Sequence, residues 1–563
     1  MNVRASSLAL AALLALVFLS QGLTAPFEKD EESRPAGIVT DIVQRGNWML
    51  PADVYGELTR KPPLYYWLSA AIAEARGGRL DEAGARLVSV VAAAALSVVV
   101  MAYAGASLGS AGGWLAWAIL LGCYGFCSHA AYARTDMLLT LLVFTAYCLL
   151  YPAVEGNAAM RHWLAAGLIL GLATLTKGPL AIVLCALGIA VYLLLAHRNP
   201  LTLALSARPW LTLGVAAALA AAWYVPALIE THGALAGVQL LQENIGHFVP
   251  ARLGGTGEAG RPFYYLLVRF IGTSLPLSLY IPALILWLWP LRQVSRAQLY
   301  QLALLIAVLG FFSVASAKRD DYILPAFPPF AIVLAAMLMT AGQRLSPWTV
   351  RLRDLAGLAA GGGMLTMVAL GLVLGSQGVL VQHLSAHMQS SDAAYLALFA
   401  SGLGQARQAV LMAAAAGAAV VALAAWQRGR PVAVAAAVAV ASMAGVGLWV
   451  GIIRPGLAAR RTFKEFALQM RQTTGGQPIY TPDGPEYEIS YYYGAPIREL
   501  ALSGAPAADS APRYVLVWTQ WPDYARWVRS GRQILASRAA LNGHRFILLK
   551  VGTSRFEPSA GKR

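Results

Sequence analysis

What most limits the folds open to this 563-residue chain is a series of long stretches of Ala, Leu, Val and Gly that carry almost no charge. At about thirteen places such a stretch is long enough, or nearly so, to cross the hydrocarbon of a bilayer, which takes roughly 20 residues of helix. A backbone inside lipid has to satisfy its own hydrogen bonds, so these stretches predict helices and a polytopic α-helical membrane protein. They fall at 5–25, 87–108, 113–129, 137–153, 163–176, 179–196, 209–228, 264–289, 299–314, 323–340, 355–375, 410–426 and 432–453. The first follows Arg4 and reads as a retained helix rather than a cleaved leader, because it is long enough to span and more spans follow.

Only 12% of the residues are charged, against 58% hydrophobic, yet the net charge is +16. In a soluble protein that balance would point to nucleic acid. Here much of the arginine sits in short loops, where it reports orientation across the membrane, so no nucleic-acid partner is implied. Assigning the loops alternately to two sides sorts them. One side collects Arg4, Arg161, Arg198, Arg208, Arg296, Arg344, Arg351 and Arg430, with almost no acid, and is the cytoplasmic one. The other collects the polar interval 26–86, Arg134 with Asp136, Lys177, the loop 230–261 and the run Lys318-Arg319-Asp320-Asp321-Tyr322. Cys123, Cys127, Cys148 and Cys185 all lie in apolar runs, so neither a disulfide framework nor a zinc knuckle is implied.

Past residue 453 the chain turns polar. Short β-like runs at 478–480, 514–518 and 545–551 alternate with helical patterns at 463–472 and 524–529, which predicts a small α/β domain. The expected division is a transmembrane catalytic domain over 1–453, with 26–86 as its first external loop, and an α/β domain over 454–563 on the same outer side.

An ionisable group near the hydrocarbon is expensive and suggests a function. Asp136, at the mouth of its helix beside Arg134, reads equally as a functional carboxylate or as an acid favoured by the helix N-terminus. Lys177 sits in the tight turn Thr176-Lys177-Gly178-Pro179, where a snorkelling lysine is the plain alternative. Lys61 precedes two prolines that hold the chain extended. The acids of Glu28-Lys29-Asp30-Glu31-Glu32-Ser33-Arg34 form, on their own, an ordinary solvated loop. Glu243 and His247 are four apart and share a face if helical. They fit a helix-surface hydrogen bond better than a divalent metal, for which two ligands do not close a site. Arg261-Pro262-Phe263-Tyr264-Tyr265 and Lys318 to Tyr322 pair cations with aromatics at the boundary, as interfacial belts also do. Together these groups put carboxylates, cations and tyrosines on the outer face of a large apolar body. Cations suit a phosphate, a carboxylate suits a sugar hydroxyl or amine, and apolar walls suit a lipid tail.

In order along the chain stand Glu31-Glu32-Ser33-Arg34, Gly46-Asn47-Trp48, Lys61-Pro62-Pro63 with Tyr66-Trp67, Asp136, Thr176-Lys177-Gly178, Glu243 to Phe248, Arg261 to Tyr265, and Tyr322-Ile323-Leu324-Pro325 after Lys318. This series resembles the polyprenyl-phosphate-sugar glycosyltransferases of the GT-C superfamily. Within it the closest likeness is to the bacterial lipid A aminoarabinose transferases of the dolichyl-phosphate-mannose-protein mannosyltransferase clan. The chain departs from the family in two places. The family's first acid pair, usually Asp-Glu, aligns with Glu31-Glu32, one residue after Asp30, and Arg60 stands where the family tends to have Glu before Lys-Pro.

The resemblance implies a GT-C fold with periplasmic juxtamembrane helices. It implies transfer of 4-amino-4-deoxy-L-arabinose from undecaprenyl phosphate to a lipid A phosphate, at the periplasmic face of a bacterial inner membrane. Asp30, Glu31 and Asp136 are then the expected catalytic groups. Arg34, Lys61, Tyr66, Lys177, Arg261, Tyr264, Tyr265, Lys318 and Tyr322 are the expected substrate-binding groups, and no cofactor is required beyond a divalent metal if Glu243 and His247 hold one. Two other readings stay open: a relative that glycosylates protein or another glycan, and a flippase for a lipid-linked sugar.

Overall fold

The computed structural model describes residues 3–27, 30–157, 159–239, 243, 261–289, 291, 294–340, 344–376, 378–386, 388, 392–393, 396–397, 400, 406–427, 429–482, 484, 486–499, 514–521, 524, 528, 532–539 and 545–551. The charge-free stretches are helical, as their composition demands. Among the described residues seven helices are long and apolar enough to cross a membrane, or eight if the bent pair Tyr265–Thr273 and Leu277–Trp287 is one span. Ala5–Leu19 (α1) and Leu180–Leu195 are shorter apolar helices.

Two expected spans are one interrupted helix. Glu82–Gly122 runs 41 residues, about 60 Å if straight and twice the thickness of the hydrocarbon. It breaks at Gly109, whose φ of 76° is the left-handed region that favours glycine. The chain folds back there: a Cβ on Gly113 would lie 2.8 Å from the Met101 carbonyl oxygen and 3.2 Å from the Gly105 Cα. Small residues thus let the two arms touch backbone to backbone. Phe327–Met339 lies at the centre of the bundle, every residue from Phe327 to Leu338 buried. Ala207–Glu230 keeps most of its surface open, as a lipid-facing helix does.

The first polar interval folds on top of this body. Asp30–Arg45 (α2) has apolar residues at helical spacing, with Ala36, Val39 and Ile42 buried. Leu64–Ala75 (α3) follows, and the long helix Glu82–Gly122 (α4) begins under an Asp81 N-cap. Tyr124–Ala130 (α5) leads to Thr135–Val154 (α6), which connects through Met160–Lys177 (α7) to Leu180–Leu195 (α8). The two ends of α6 mark the two sides of the bundle. At its C-terminal end Glu155 pairs with Arg198 at 2.8 Å and Arg296 at 2.9 Å, all from loops of the arginine-rich side. At its start lie Asp136 and the charges of the other side.

Beyond Arg454 come Arg454–Arg461 (α9), Lys464–Thr474 (α10), Tyr487–Tyr493 (α11) and a five-stranded sheet. The strands are Ile479–Thr481 (β1), Arg498–Glu499 (β2), Tyr514–Trp518 (β3), Gln533–Ala539 (β4) and Arg545–Lys550 (β5), in the order β2-β1-β3-β5-β4. β1 is parallel to β2 and β3, while β5 runs antiparallel to β3 and β4. The pattern at 463–472 is part of α10, and the one at 524–529 lies mostly outside the described residues. β2 and β4 are additions: β2 has two exposed residues, and β4 carries no apolar alternation that would mark it. Leu516 and Leu548 share one core with Phe27 and Ala36 of the first interval, so the sheet region is packed against α2 rather than tethered beside it.

A buried ion pair holds these parts together. Arg86 is fully buried and donates to both carboxylate oxygens of Glu32 at 2.8 Å. It also donates to the carbonyls of Leu23 at 2.9 Å, Pro26 at 3.3 Å and Ala25. Glu32 accepts in addition from the Ala133 amide at 2.9 Å and lies 3.5 Å from Arg454, which donates to the Ala131 carbonyl at 2.8 Å. Burial alone would raise the Glu32 carboxyl, but Arg86 and Arg454 outweigh it and hold the group below its ordinary value. A lowered carboxyl stabilises the fold above its unfolded value, and that contribution is lost as pH falls through the folded one. Arg86→Leu, which strands the Glu32 carboxylate, is expected to cost about 3–5 kcal/mol. Thermal unfolding of purified protein in detergent reads this as a large fall in midpoint, greater at neutral pH than in acid. A midpoint equal to wild type at both would contradict the assignment.

Candidate active site

Successive residues of a helix point about 100° apart, and this separates the three acids at the start of α2. Glu32 turns inward to Arg86. Glu31 turns into a cleft, where its carboxylate meets Arg134 and, at 2.8 Å, Arg319. Asp30 lies at the rim and accepts from the Glu488 amide at 3.2 Å. Desolvation, the largest influence on Asp30, keeps its carboxyl above the ordinary value. Arg34, one turn on, donates to Asp53 at 3.0 Å and Glu57 at 3.0 Å.

The opposite wall comes from the helix ends. The α7–α8 turn passes through Gly178 at φ 73°, which leaves Lys177 at the last position of α7 with its ammonium on Asp136 and 4.0 Å from Asp321. Lys61 sits on the extended segment before Pro62-Pro63, braced where the Thr59 hydroxyl donates to the Lys61 carbonyl at 2.8 Å. Its ammonium pairs with Glu243, and Gln239 donates to the Thr59 carbonyl at 2.9 Å. Burial, then the like charge of Lys177, pulls the Lys61 ammonium below its ordinary value, with Glu243 opposing. Tyr66 is also buried, and its phenol is pushed up to about 12, so it stays a neutral donor at any physiological pH.

These residues enclose a cavity of about 410 Å³. Six cations line it (Arg34, Arg60, Lys61, Arg134, Lys177, Arg319) against five carboxylates (Asp30, Glu31, Asp136, Glu243, Asp321), with apolar surface from Ile38, Leu180 and Phe312. An amphiphilic anion fits such a lining: its charged group exchanges for a carboxylate on a cation, and its chain lies along the apolar wall.

Of the expected residues, the structure brings Asp30, Glu31, Asp136, Arg34, Lys61, Tyr66, Lys177, Tyr322 and Glu243 to this one cavity. Lys318 does not join them. Its ammonium is buried and donates to the Ala315 carbonyl at 2.7 Å, and the neighbouring Arg319 faces the cleft instead. Arg261 donates to the Lys318 carbonyl, and the Tyr265 hydroxyl donates to Asp320 at 2.9 Å, so both buttress the 318–322 turn from outside the cavity. Tyr264 is exposed and does not line it. His247 lies outside the described residues. Among those described no group of three or more metal-ligating side chains occurs, and the Glu243 carboxylate is engaged by Lys61.

Arg134, Arg319, Asp321, Gln239, Tyr224 and Tyr487 line the cavity without having been expected there. Arg319 and Asp321 belong to a run singled out for its charge. Asp320–Ala326 is a 3₁₀ turn, in which neighbours point about 120° apart, and the sequence does not say which of them faces inward. Tyr487 carries no local signal at all.

Comparison with known proteins finds likenesses in sequence and in fold. The family model described as dolichyl-phosphate-mannose-protein mannosyltransferase matches residues 60–226. An undecaprenyl phosphate-alpha-4-amino-4-deoxy-L-arabinose arabinosyl transferase of Enterobacter sp. (strain 638) is 27% identical over 327 residues, 54% of each chain. One of Pseudomonas aeruginosa (strain UCBPP-PA14) is 29% identical over 355 residues, 60% of each. The chain spans little more than half the length of these relatives. The crystal structure of ArnT from Cupriavidus metallidurans bound to undecaprenyl phosphate superposes with a TM-score of 0.75 at 19% identity, covering 97% of this chain and 98% of that one. The apo structure of the same protein matches with a TM-score of 0.74. The chain therefore has the fold of ArnT from Cupriavidus metallidurans, and in sequence it is similar to the undecaprenyl phosphate-aminoarabinose transferases.

Proposed function

We propose that this chain is an integral-membrane glycosyltransferase that moves 4-amino-4-deoxy-L-arabinose from undecaprenyl phosphate to a lipid A phosphate. The observation that carries the reading is the cleft itself, in which paired cations and carboxylates lie against apolar surface at one end of a helical bundle. It opens on the periplasmic side of a bacterial inner membrane in this reading, with about thirteen crossings, a catalytic body over 1–453 and an α/β domain over 454–563. Capping lipid A phosphate with an amine-bearing sugar would lower the surface charge that attracts cationic peptides.

In the reaction an oxygen of the acceptor phosphate attacks the anomeric carbon. The bond from that carbon to the donor phosphate breaks, and the electron pair leaves with undecaprenyl phosphate. The attacking group is already an anion, so a strong base is not required, and alignment and charge compensation supply most of the acceleration. Lys61 and Arg319 hold the donor phosphate and stabilise the charge it gains. Arg34 adds a further cation to the donor phosphate's side of the cleft, and Arg134 faces the acceptor phosphate. Glu31, released from its arginines as phosphate enters, and Asp30 bind the sugar amine and hydroxyls. Asp136 fixes Lys177 at the floor of the cleft. Among the described residues ionisable groups collect at this end, and those at the far end of α6 are closed on one another through Glu155, an arrangement that does not favour transport.

Mass spectrometry of lipid A from cells carrying each variant tests this. Glu31→Gln and Asp136→Asn are expected to lower aminoarabinose addition about 100-fold or more. Arg319→Ala should weaken donor binding, whereas Lys318→Ala should change stability and leave donor affinity as it was. Full modification by Asp30→Asn, Glu31→Gln and Asp136→Asn alike, in folded protein, would remove the proposed site.

The pH dependence has a sign. The Lys61 ammonium is lost at a lower pH than that of a free lysine, so donor affinity should fall early on the alkaline side. Lys61→Arg, whose guanidinium stays charged, should shift that fall to higher pH. Coincident affinity profiles for the two proteins would show that Lys61 does not contact the phosphate.

A further inference from the structure

We propose that α11 of the C-terminal region is a working part of the cleft, with Tyr487 as the positioning residue that sets how Arg34 presents its guanidinium. Tyr487 lies more than 400 residues from the other groups that line the cavity on α2, yet it forms part of the same wall. Its ring lies under the Arg34 guanidinium, 4.9 Å from Cζ to ring centroid, and meets Tyr55 edge-on at 5.1 Å. The edge of the same guanidinium donates to Asp53, a fully buried carboxylate. Arg34 is therefore held by a carboxylate at its edge and a ring on its face, a combination that fixes both the direction and the plane of a guanidinium.

The helix that carries Tyr487 is itself anchored to the first interval at several points. The Glu488 amide donates to Asp30, while the Glu488 carboxylate ties the helix to its own region, accepting from the Thr462 hydroxyl at 2.9 Å and the Phe463 amide at 2.8 Å. Ser490 and the Tyr55 hydroxyl are 2.8 Å apart, and the Phe27 amide donates to the Tyr492 hydroxyl at 2.8 Å. So α11 touches both ends of the first turn of α2: Asp30 through a backbone amide, Arg34 through an aromatic ring. A domain serving only as an external cover would need neither contact.

The role given to Arg34 rests on the transfer reading above, but the contact with Tyr487 does not. The experiment uses the full-length protein in detergent, with Tyr487→Ala, Tyr487→Phe, Arg34→Ala and the Arg34→Ala/Tyr487→Ala double variant. Undecaprenyl phosphate affinity and hydrogen exchange over residues 30–38 are measured for each. Tyr487→Ala is expected to weaken the lipid phosphate about fivefold, the size of a partly desolvated cation–π contact. Tyr487→Phe, which keeps the ring, should bind within about twofold of wild type, and the double variant should bind no more weakly than Arg34→Ala alone, because the ring acts through that arginine. Exchange over 30–38 should quicken in Tyr487→Ala while that of α10 stays unchanged. Wild-type affinity in Tyr487→Ala, or a loss that adds in full to that of Arg34→Ala, would overturn the inference. If wild-type protein binds no undecaprenyl phosphate, the transfer reading falls, and the exchange arm still decides: faster exchange over 30–38 in Tyr487→Ala keeps the inference, unchanged exchange ends it.

Discussion

The pairing of Arg86 with Glu32 is the contact on which the outer half of the molecule depends. A guanidinium buried at the start of a membrane helix is costly unless its donors are met, and here they are met by Glu32 and three carbonyls between Leu23 and Pro26. The same carboxylate reaches the 131–133 turn and Arg454. The segment that follows α1, α2, α4, the turn before α6 and α9 therefore converge on one buried pair. What lines the cleft lies next to it in sequence: Glu31 beside Glu32, and Arg134 beside Ala133. Fixing the pair fixes the distance between those neighbours, and Glu31 and Arg134 meet across the cleft as a result.

The cleft is close to neutral, and that matters as much as its shape. A cluster of bare cations in partly desolvated protein would raise the energy of the empty site, and a cluster of carboxylates would repel phosphate. Here Glu31 sits between Arg134 and Arg319, Asp136 and Asp321 face Lys177, and Glu243 takes Lys61. A phosphate entering this network replaces one carboxylate by another anion, so the cations need little new desolvation. In the proposed transfer the displaced carboxylate is left beside the sugar, where a group that accepts from hydroxyl and ammonium donors is wanted. In this account the order of events is built into the resting charges.

How much of this could be read from the residues differs from one position to the next. Lys61 was legible because two prolines fix an extended backbone after it, and Lys177 because Thr-Lys-Gly-Pro ends a helix at a glycine with positive φ. Asp136 stood out as an acid at the first turn of an apolar helix. Lys318 was expected where Arg319 lines the cavity, since one step along a tight turn changes the direction of a side chain completely and charge alone cannot tell neighbours apart. The three acids of α2 were recognised as a group, but which one faces Arg86 depends on a contact made 54 positions away. Tyr487 and β2 were invisible for a related reason: their placement comes from tertiary packing, with no periodicity or motif of their own.

The most direct test of the account is a structure of the protein with undecaprenyl phosphate bound in a lipid nanodisc. The phosphorus should lie between Lys61 and Arg319, with Glu31 turned away from at least one of its arginines and the Arg86–Glu32 pair unchanged. A phosphate held instead at Arg261, outside the cavity, with Glu31 still clasped by Arg134 and Arg319, would contradict it.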